Sequence, residues 1–195
     1  LRDQGPPGLA LIQELRTHGF LIEMGFLDEN HPEKSANYFR SWQDRFQTHD
    51  RHEAQARCLA STLQFDHCWW VEEHIQNTDK TYWTLMTRIR IPAYYHDPHT
   101  HQEYLFFPRI ALDAPALLNG YRRYPLGNGR DFSPAEIDLL LNAFLATREG
   151  VHWQAGDILL VDNIRYGHSR EAFSGPRSLG VAMAGMFSTE HMQSP

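Results

Sequence analysis

Residues 153–177 read WQAGDILLVDNIRYGHSREAFSGPR. Gly156-Asp157 signals a turn, and Ile158 to Val161 is a short apolar run of the kind buried in a β-sandwich. Asp162-Asn163 then closes the run with side chains that bond their own backbone. The pattern predicts a strand over Ile158–Val161, and a side chain just beyond such a strand is carried by a rigid scaffold. His168 stands there. Its imidazole is able to ligate a first-row transition metal through one ring nitrogen while a hydrogen bond orients the other. Arg177 opens a second strand-like run, Ser178 to Met186, in which Leu179, Val181 and Met183 alternate with Gly180, Ala182 and Ala184. Two adjacent antiparallel strands would bring His168 and Arg177 to the same end of one pocket. There a planar guanidinium grips a carboxylate through two parallel hydrogen bonds. Spacing alone fixes one ligand rather than a cluster, so a surface or core histidine and a solvated arginine stand beside this reading.

Working outward, Leu9, Ile12 and Leu15 repeat at helical spacing and Gly19 stops that helix, after which Phe20-Leu21-Ile22 reads as a strand. Ser35 is placed to cap a helix through Tyr38 and Trp42, and Asp50 with Glu53 forms a capping-box-like start to a helix through Ala60. Tyr82 to Ile91 alternates as a half-buried antiparallel strand. Trp83, Leu85, Ile89 and Ile91 share one face, and Thr84, Met86, Arg88 and Arg90 the other. Ser133, Pro134 and Glu136 predict a capped helix that Leu139, Leu140, Asn142 and Phe144 carry toward Gly150. Trp69, Trp70, Trp83, Tyr94 and Tyr95 line a pocket or fill the core, and filling the core is the stronger expectation for each alone. No repeat, low-complexity tract or linker divides the chain, so residues 1–195 are read as one domain.

Composition sets the outer limits. The chain has 195 residues, 42% hydrophobic and 22% charged, as a globular protein with a real core has. A net charge of -6 and a pI near 6.0 give no broad basic field, which argues against nucleic acid and anionic membrane as partners. No apolar run approaches a membrane span, and Leu1 to Ala10 is no signal peptide. Cys58 and Cys68 give no disulfide framework and are read as free thiols in a reducing cytoplasm. Most histidines, among them His49, His52, His96, His99 and His101, lie in polar company and are expected in solvated loops.

The residues also carry a resemblance. W-x-x-G-D-I-L-L-V-D-N from Trp153, then His168-Ser169-Arg170, then Phe173 to Arg177, resembles the C-terminal signature of the taurine dioxygenase and clavaminate synthase-like superfamily of iron(II)/2-oxoglutarate oxygenases. Trp42-Gln43 with Phe46, Thr48, Asp50 and Arg51 resembles a block of the branch found in antibiotic and nonribosomal peptide biosynthesis. Pro98, Thr100 and Phe106 resemble the block after it, and Gly127-Asn128-Gly129 with Ser133 to Glu136 resembles a further segment and its helix. The four blocks keep the family's order from about residue 40 onward. The fold so implied is mainly β with helical insertions, a double-stranded β-helix or jelly roll.

Carried over, the resemblance makes His168 the distal histidine of a two-histidine, one-carboxylate facial triad and Arg177 the anchor of the 2-oxoglutarate C5 carboxylate. It gives Arg170 a role in orienting a cosubstrate oxygen or the Asp162-Asn163 turn, with a surface arginine as the alternative. Fe(II), 2-oxoglutarate and O2 are the implied cofactor and cosubstrates. The chain departs from the pattern at Ser169, where glycine is usual, and at His101-Gln102, where the pattern has Gly-Glu. Val181 stands where some relatives place a second, substrate-binding arginine. The paired His and carboxylate that complete the triad are expected upstream of Leu1, because the chain reads as a C-terminal portion that does not start with Met. Within the chain, His101 with Glu103 is the runner-up pair, ahead of His31-Pro32-Glu33 in its polar stretch. The implied activity is hydroxylation, desaturation or cyclisation of a small amino-acid-derived or carrier-tethered substrate. The alternatives are a cupin-like non-oxidative binding protein and a non-catalytic fragment; the residues do not define the oligomeric state.

Overall fold

The computed structural model describes residues 1–32, 40–61, 65–75, 79–106, 121–163, 165–168, 174–176, 178, 180 and 182. After a short 3-10 turn at Arg2–Gln4, helix α1 (Gly5–His18) starts with prolines in its first turn and ends at Gly19, φ 62°. That left-handed conformation favours glycine. A Cβ at Gly19 would also come within 2.5 Å of the Ile91 carbonyl oxygen. The chain therefore turns at once into β1 (Phe20–Phe26). The buried side of α1 is Gly8, Leu11 and Leu15, and Leu9, expected on the apolar stripe, is 54% exposed.

β3 (Thr81–Ile91) is the axis of the molecule. It pairs antiparallel with β1, Phe20 opposite Ile91 and Phe26 opposite Leu85. On its other edge it pairs antiparallel with β2 (His67–His74), His67 opposite Arg88 and His74 opposite Thr81. β4 (Tyr94–His96) and β5 (Glu103–Leu105) form a separate two-stranded hairpin, and β6 (Arg122–Arg123) joins the outer edge of β1 at Glu23 and Met24. The main sheet runs β2-β3-β1-β6.

Strand alternation sends Phe20, Ile22, Met24 and Phe26 to one face with Leu85, Thr87, Ile89 and Ile91. One end of this face is covered by α2 (Trp42–Phe46) and α3 (Arg51–Leu59), whose Trp42, Phe46, Ala54 and Cys58 pack on Phe26, Phe65, Cys68 and Leu85. The other end lies under α1 and α4 (Pro134–Ala146), where Leu11, Leu15 and Leu140 meet Phe20, Ala93, Tyr94 and Leu126. The helix starts are those the sequence predicts at two places. Asp50 accepts from the Glu53 amide at 2.9 Å. Ser133 and Glu136 make a reciprocal capping box. At α2 the cap is Ser41, which accepts from the Asp44 amide; Ser35 and Tyr38 fall outside the described residues.

The structure corrects three expectations. Ile158–Val161 is not a strand: Ile158 is 93% and Leu160 95% exposed, with no ladder partner among the described residues. An apolar run becomes a strand only where a second backbone edge takes up its hydrogen bonds. Cys58 and Cys68 are not free thiols but form a disulfide. Packing of α3 on β2 brings their Cα atoms to 6.5 Å, a tertiary approach that a spacing of ten residues does not reveal. The third is α4, which stops at Ala146 rather than near Gly150. The hairpin proposed through Arg177 lies mostly outside the described residues. What the described residues show is antiparallel sheet with helices packed on one face, compatible with a mainly β fold.

Candidate functional site

The His168 segment is tied to the β4–β5 hairpin by one charged clamp. Asp97, 3% exposed, directly follows β4. Its Oδ1 accepts from the His99 amide at 2.8 Å and the Thr100 amide at 3.3 Å, and its Oδ2 from the Thr100 hydroxyl at 2.8 Å. The Arg165 guanidinium donates to the same carboxylate. It also faces Asp162, at 3.3 Å, and lies 4.9 Å from the centre of the Tyr104 ring. The donors from His99 and Thr100, with Arg165 added, hold the Asp97 carboxyl well below the usual aspartate range. Gly167 completes the docking. A Cβ there would meet the Phe144 ring of α4 at 2.5 Å, so any larger residue would have to displace that ring. His168 follows, exposed and outside regular structure.

The clamp thus joins two of the sequence blocks, the one from Pro98 to Phe106 and the one carrying His168. Asp97 itself was not singled out in the sequence, although Asp97-Pro98 with Thr100 is a turn signal that could have marked it as a loop organiser. Its partner Arg165, far along the chain, has no local signature. Arg177 and Arg170 lie outside the described residues.

The runner-up pair is not assembled as metal ligands. Glu103 takes both Nη atoms of Arg16, at 3.2 and 2.5 Å. His101 is exposed, with a ring centre 6.0 Å from that of His96. A carboxylate already bidentate to an arginine has little left for a cation. His49, His52 and His99 are exposed as expected, while His96 is half-buried.

A second polar cluster was missed altogether. His31, read as part of a polar loop or helix entry, is 3% exposed, while Glu33, two residues on, lies outside the described residues. His31 Nε2 lies 3.1 Å from Glu73 Oε2, and the Tyr121 hydroxyl donates to that oxygen at 2.6 Å while standing 3.3 Å from His31 Nε2. The Tyr82 ring packs edge-on against the imidazole, 5.1 Å between centres. The three polar residues come from three separate segments, and nothing local in the sequence links them. Glu73 and Tyr121 line a groove of about 400 Å³ on the sheet face opposite α2 and α3, with Glu23, Trp69, Val71, Met86 and Arg123.

Of the aromatics set between pocket and core, Trp69 lines that groove. Trp70 packs edge-on with Trp42 in the core, 5.2 Å between centres. Trp83 lies under Arg51, and Tyr94 and Tyr95 are buried.

Among the described residues no group of three or more His, Cys, Asp or Glu is placed to hold a metal. The described donors alone therefore do not fit an iron centre with a facial triad. No helix among them is long and apolar enough to cross a membrane.

Comparison with known proteins supports the clavaminate synthase-like superfamily as the class, without defining a branch. The chain is 28% identical over 149 residues to the dapdiamide synthesis protein DdaC of Enterobacter agglomerans, covering 73% of this chain and 44% of that protein. It is 28% identical over 185 residues to a clavaminate synthase-like protein of Arabidopsis thaliana, covering 91% of this chain and 50% of that one. The chain thus spans about half the length of the curated relatives it matches. No protein-family model matches it.

Proposed function

We propose that the chain is part of an iron(II)- and 2-oxoglutarate-dependent oxygenase with a jelly-roll domain, acting on a small amino-acid-derived or carrier-tethered substrate in a biosynthetic pathway. The observation that carries this reading is the clamp of Arg165 on Asp97, which docks the His168 segment on a block that is distant in sequence and belongs to the same family pattern. The similarity to DdaC and to the Arabidopsis protein supports it. In this reading His168 is one metal ligand, Arg177 grips the far carboxylate of 2-oxoglutarate, and Arg170 orients a cosubstrate oxygen. The other two ligands come from a part of the protein matching the half of the relatives that this chain does not span. Iron with its cosubstrate and dioxygen supplies the oxidising power; the protein supplies positioning and shelter from water. The reading also places the protein in the cytoplasm. The Cys58–Cys68 disulfide is the observation on the other side, and finding it intact throughout freshly lysed, alkylated cells would count against that location.

The test is anaerobic absorption titration of the full-length protein with iron(II) and 2-oxoglutarate. A weak visible charge-transfer band is expected, lost in His168→Ala. Arg177→Ala is expected to weaken 2-oxoglutarate binding while sparing iron. No band, with His168→Ala indistinguishable from wild type, refutes the oxygenase and favours the second reading, a non-oxidative or non-catalytic domain.

A further inference from the structure

We infer that the groove on the sheet face opposite α2 and α3 is a binding site for a primary ammonium group carried on an apolar stem. The register of the sheet builds it. Residues opposite in parity to the core positions, Glu23 and Gly25 on β1, Met86 and Arg88 on β3, and Trp69, Val71 and Glu73 on β2, share the face that α2 and α3 do not cover. Gly25 keeps the floor low: a Cβ there would come within 2.9 Å of Met86 Sδ and Thr84 Cγ2 and 3.4 Å of Tyr121 Cβ.

The charges differ from one end to the other. Glu23, 2% exposed, is neutralised by Arg88, at 2.9 and 2.5 Å to Oε1, and by Arg123 at 3.0 Å to Oε2. Arg123 in turn donates to both oxygens of Asp131, at 2.8 and 3.0 Å. Both arginines are therefore engaged by carboxylates and poorly placed to take an anionic ligand. Among the described residues Glu73 makes no salt bridge to an arginine, and the groove's Arg123 is taken up by Glu23 and Asp131. Glu73 Oε2 is oriented by His31 and Tyr121, and its Oε1 accepts no hydrogen bond among the described residues, although the side chain is 23% exposed at the groove. A carboxylate fixed through one oxygen and open at the other suits an N–H donor that carries positive charge. Val71, Met86 and Trp69 beside it give an apolar and aromatic wall for the stem. The volume of about 400 Å³ lies within the range of small-molecule sites.

This site goes beyond the oxygenase reading and is tested without iron. Isothermal titration of the full chain with n-butylammonium, 1-butanol and butyrate is expected to show binding for the ammonium ion alone. Glu73→Gln keeps the shape and removes the charge, and is expected to weaken butylammonium binding roughly tenfold to a hundredfold, the span of a charge-assisted hydrogen bond. Val71→Lys, which sets a competing ammonium two residues from Glu73 on the same face, is expected to abolish it. Val71→Lys decides the matter if Glu73→Gln shows an altered circular dichroism spectrum. Equal binding of amine and alcohol, absence of amine binding, or affinity unchanged in Val71→Lys overturns the site.

Discussion

At the scale of single residues, the clamp between Asp97 and Arg165 has a definite pH dependence. The Asp97 carboxyl is depressed in the folded chain, so its contribution is complete above the ordinary aspartate value near 4 and is lost as pH falls from there. Amide protection of Arg165 and Tyr166, corrected for intrinsic exchange, is expected to fall on acidification below about pH 4. In Asp97→Asn it is expected to be low throughout, while protection in β3 is unchanged; equal protection in both proteins would show that the clamp does not hold the segment. Glu136 behaves alike. Arg130 first, and the Ser133 amide and hydroxyl after it, pull its carboxyl down to about 2. Its support of α4 is therefore lost as pH falls from about 4.5 toward that value. The cap itself was legible in the sequence, because Ser133, Pro134 and Glu136 are near neighbours whose roles depend on local geometry alone. Asp97 and Arg165, like His31, Glu73 and Tyr121, were not legible as partners, since a hydrogen bond between distant segments leaves no local pattern.

At the scale of elements, strength and legibility run together. β1 and β3 were visible in the sequence because strand alternation and the Gly19 stop are local signals, and they carry the core. Leu85, fully buried where β3 meets α2 and α3, is expected to cost about 2 to 5 kcal/mol when cut to alanine, measured by urea unfolding. Ser133→Ala removes the cap of α4 and is expected to cost about 1 kcal/mol by the same measurement. The bond from Cys58 on α3 to Cys68 on β2 closes a short loop. Reduction, or Cys58→Ser with Cys68→Ser, is expected to cost about 2 to 3 kcal/mol on the chain-entropy estimate for such a loop. A double variant as stable as the oxidised protein would show that packing of α3 on β2 suffices. The element that failed is Ile158–Val161, where composition and a good closing turn predicted a strand that the described residues leave exposed. Hydrophobicity marks a segment that needs a partner without supplying one.

At the scale of the whole molecule, one sheet divides the chemistry. Its helix-covered face is apolar and holds the fold; its other face carries Glu23, Arg88 and Glu73 and holds the groove. Glu23 is nearly buried between two arginines, and losing either partner leaves a carboxylate short of charge in a place water scarcely reaches. Arg88→Ala is expected to lower the melting temperature more than Arg90→Ala, on the same strand and face but exposed; equal effects would mean that Glu23 is adequately served by Arg123 alone. By itself the sequence determined the helices at α1, α3 and α4, the central strands, and the order of blocks that points to a family of oxygenases. These follow from periodicity, caps and motif residues that act within a few positions of one another. The tertiary structure alone decided the Cys58–Cys68 bond, the docking of the His168 segment on Asp97, the division of the aromatics between groove and core, and the meeting of His31, Glu73 and Tyr121. Each of these depends on how strands and helices from distant parts of the chain come to share one face, and that is fixed by packing rather than by neighbours in sequence.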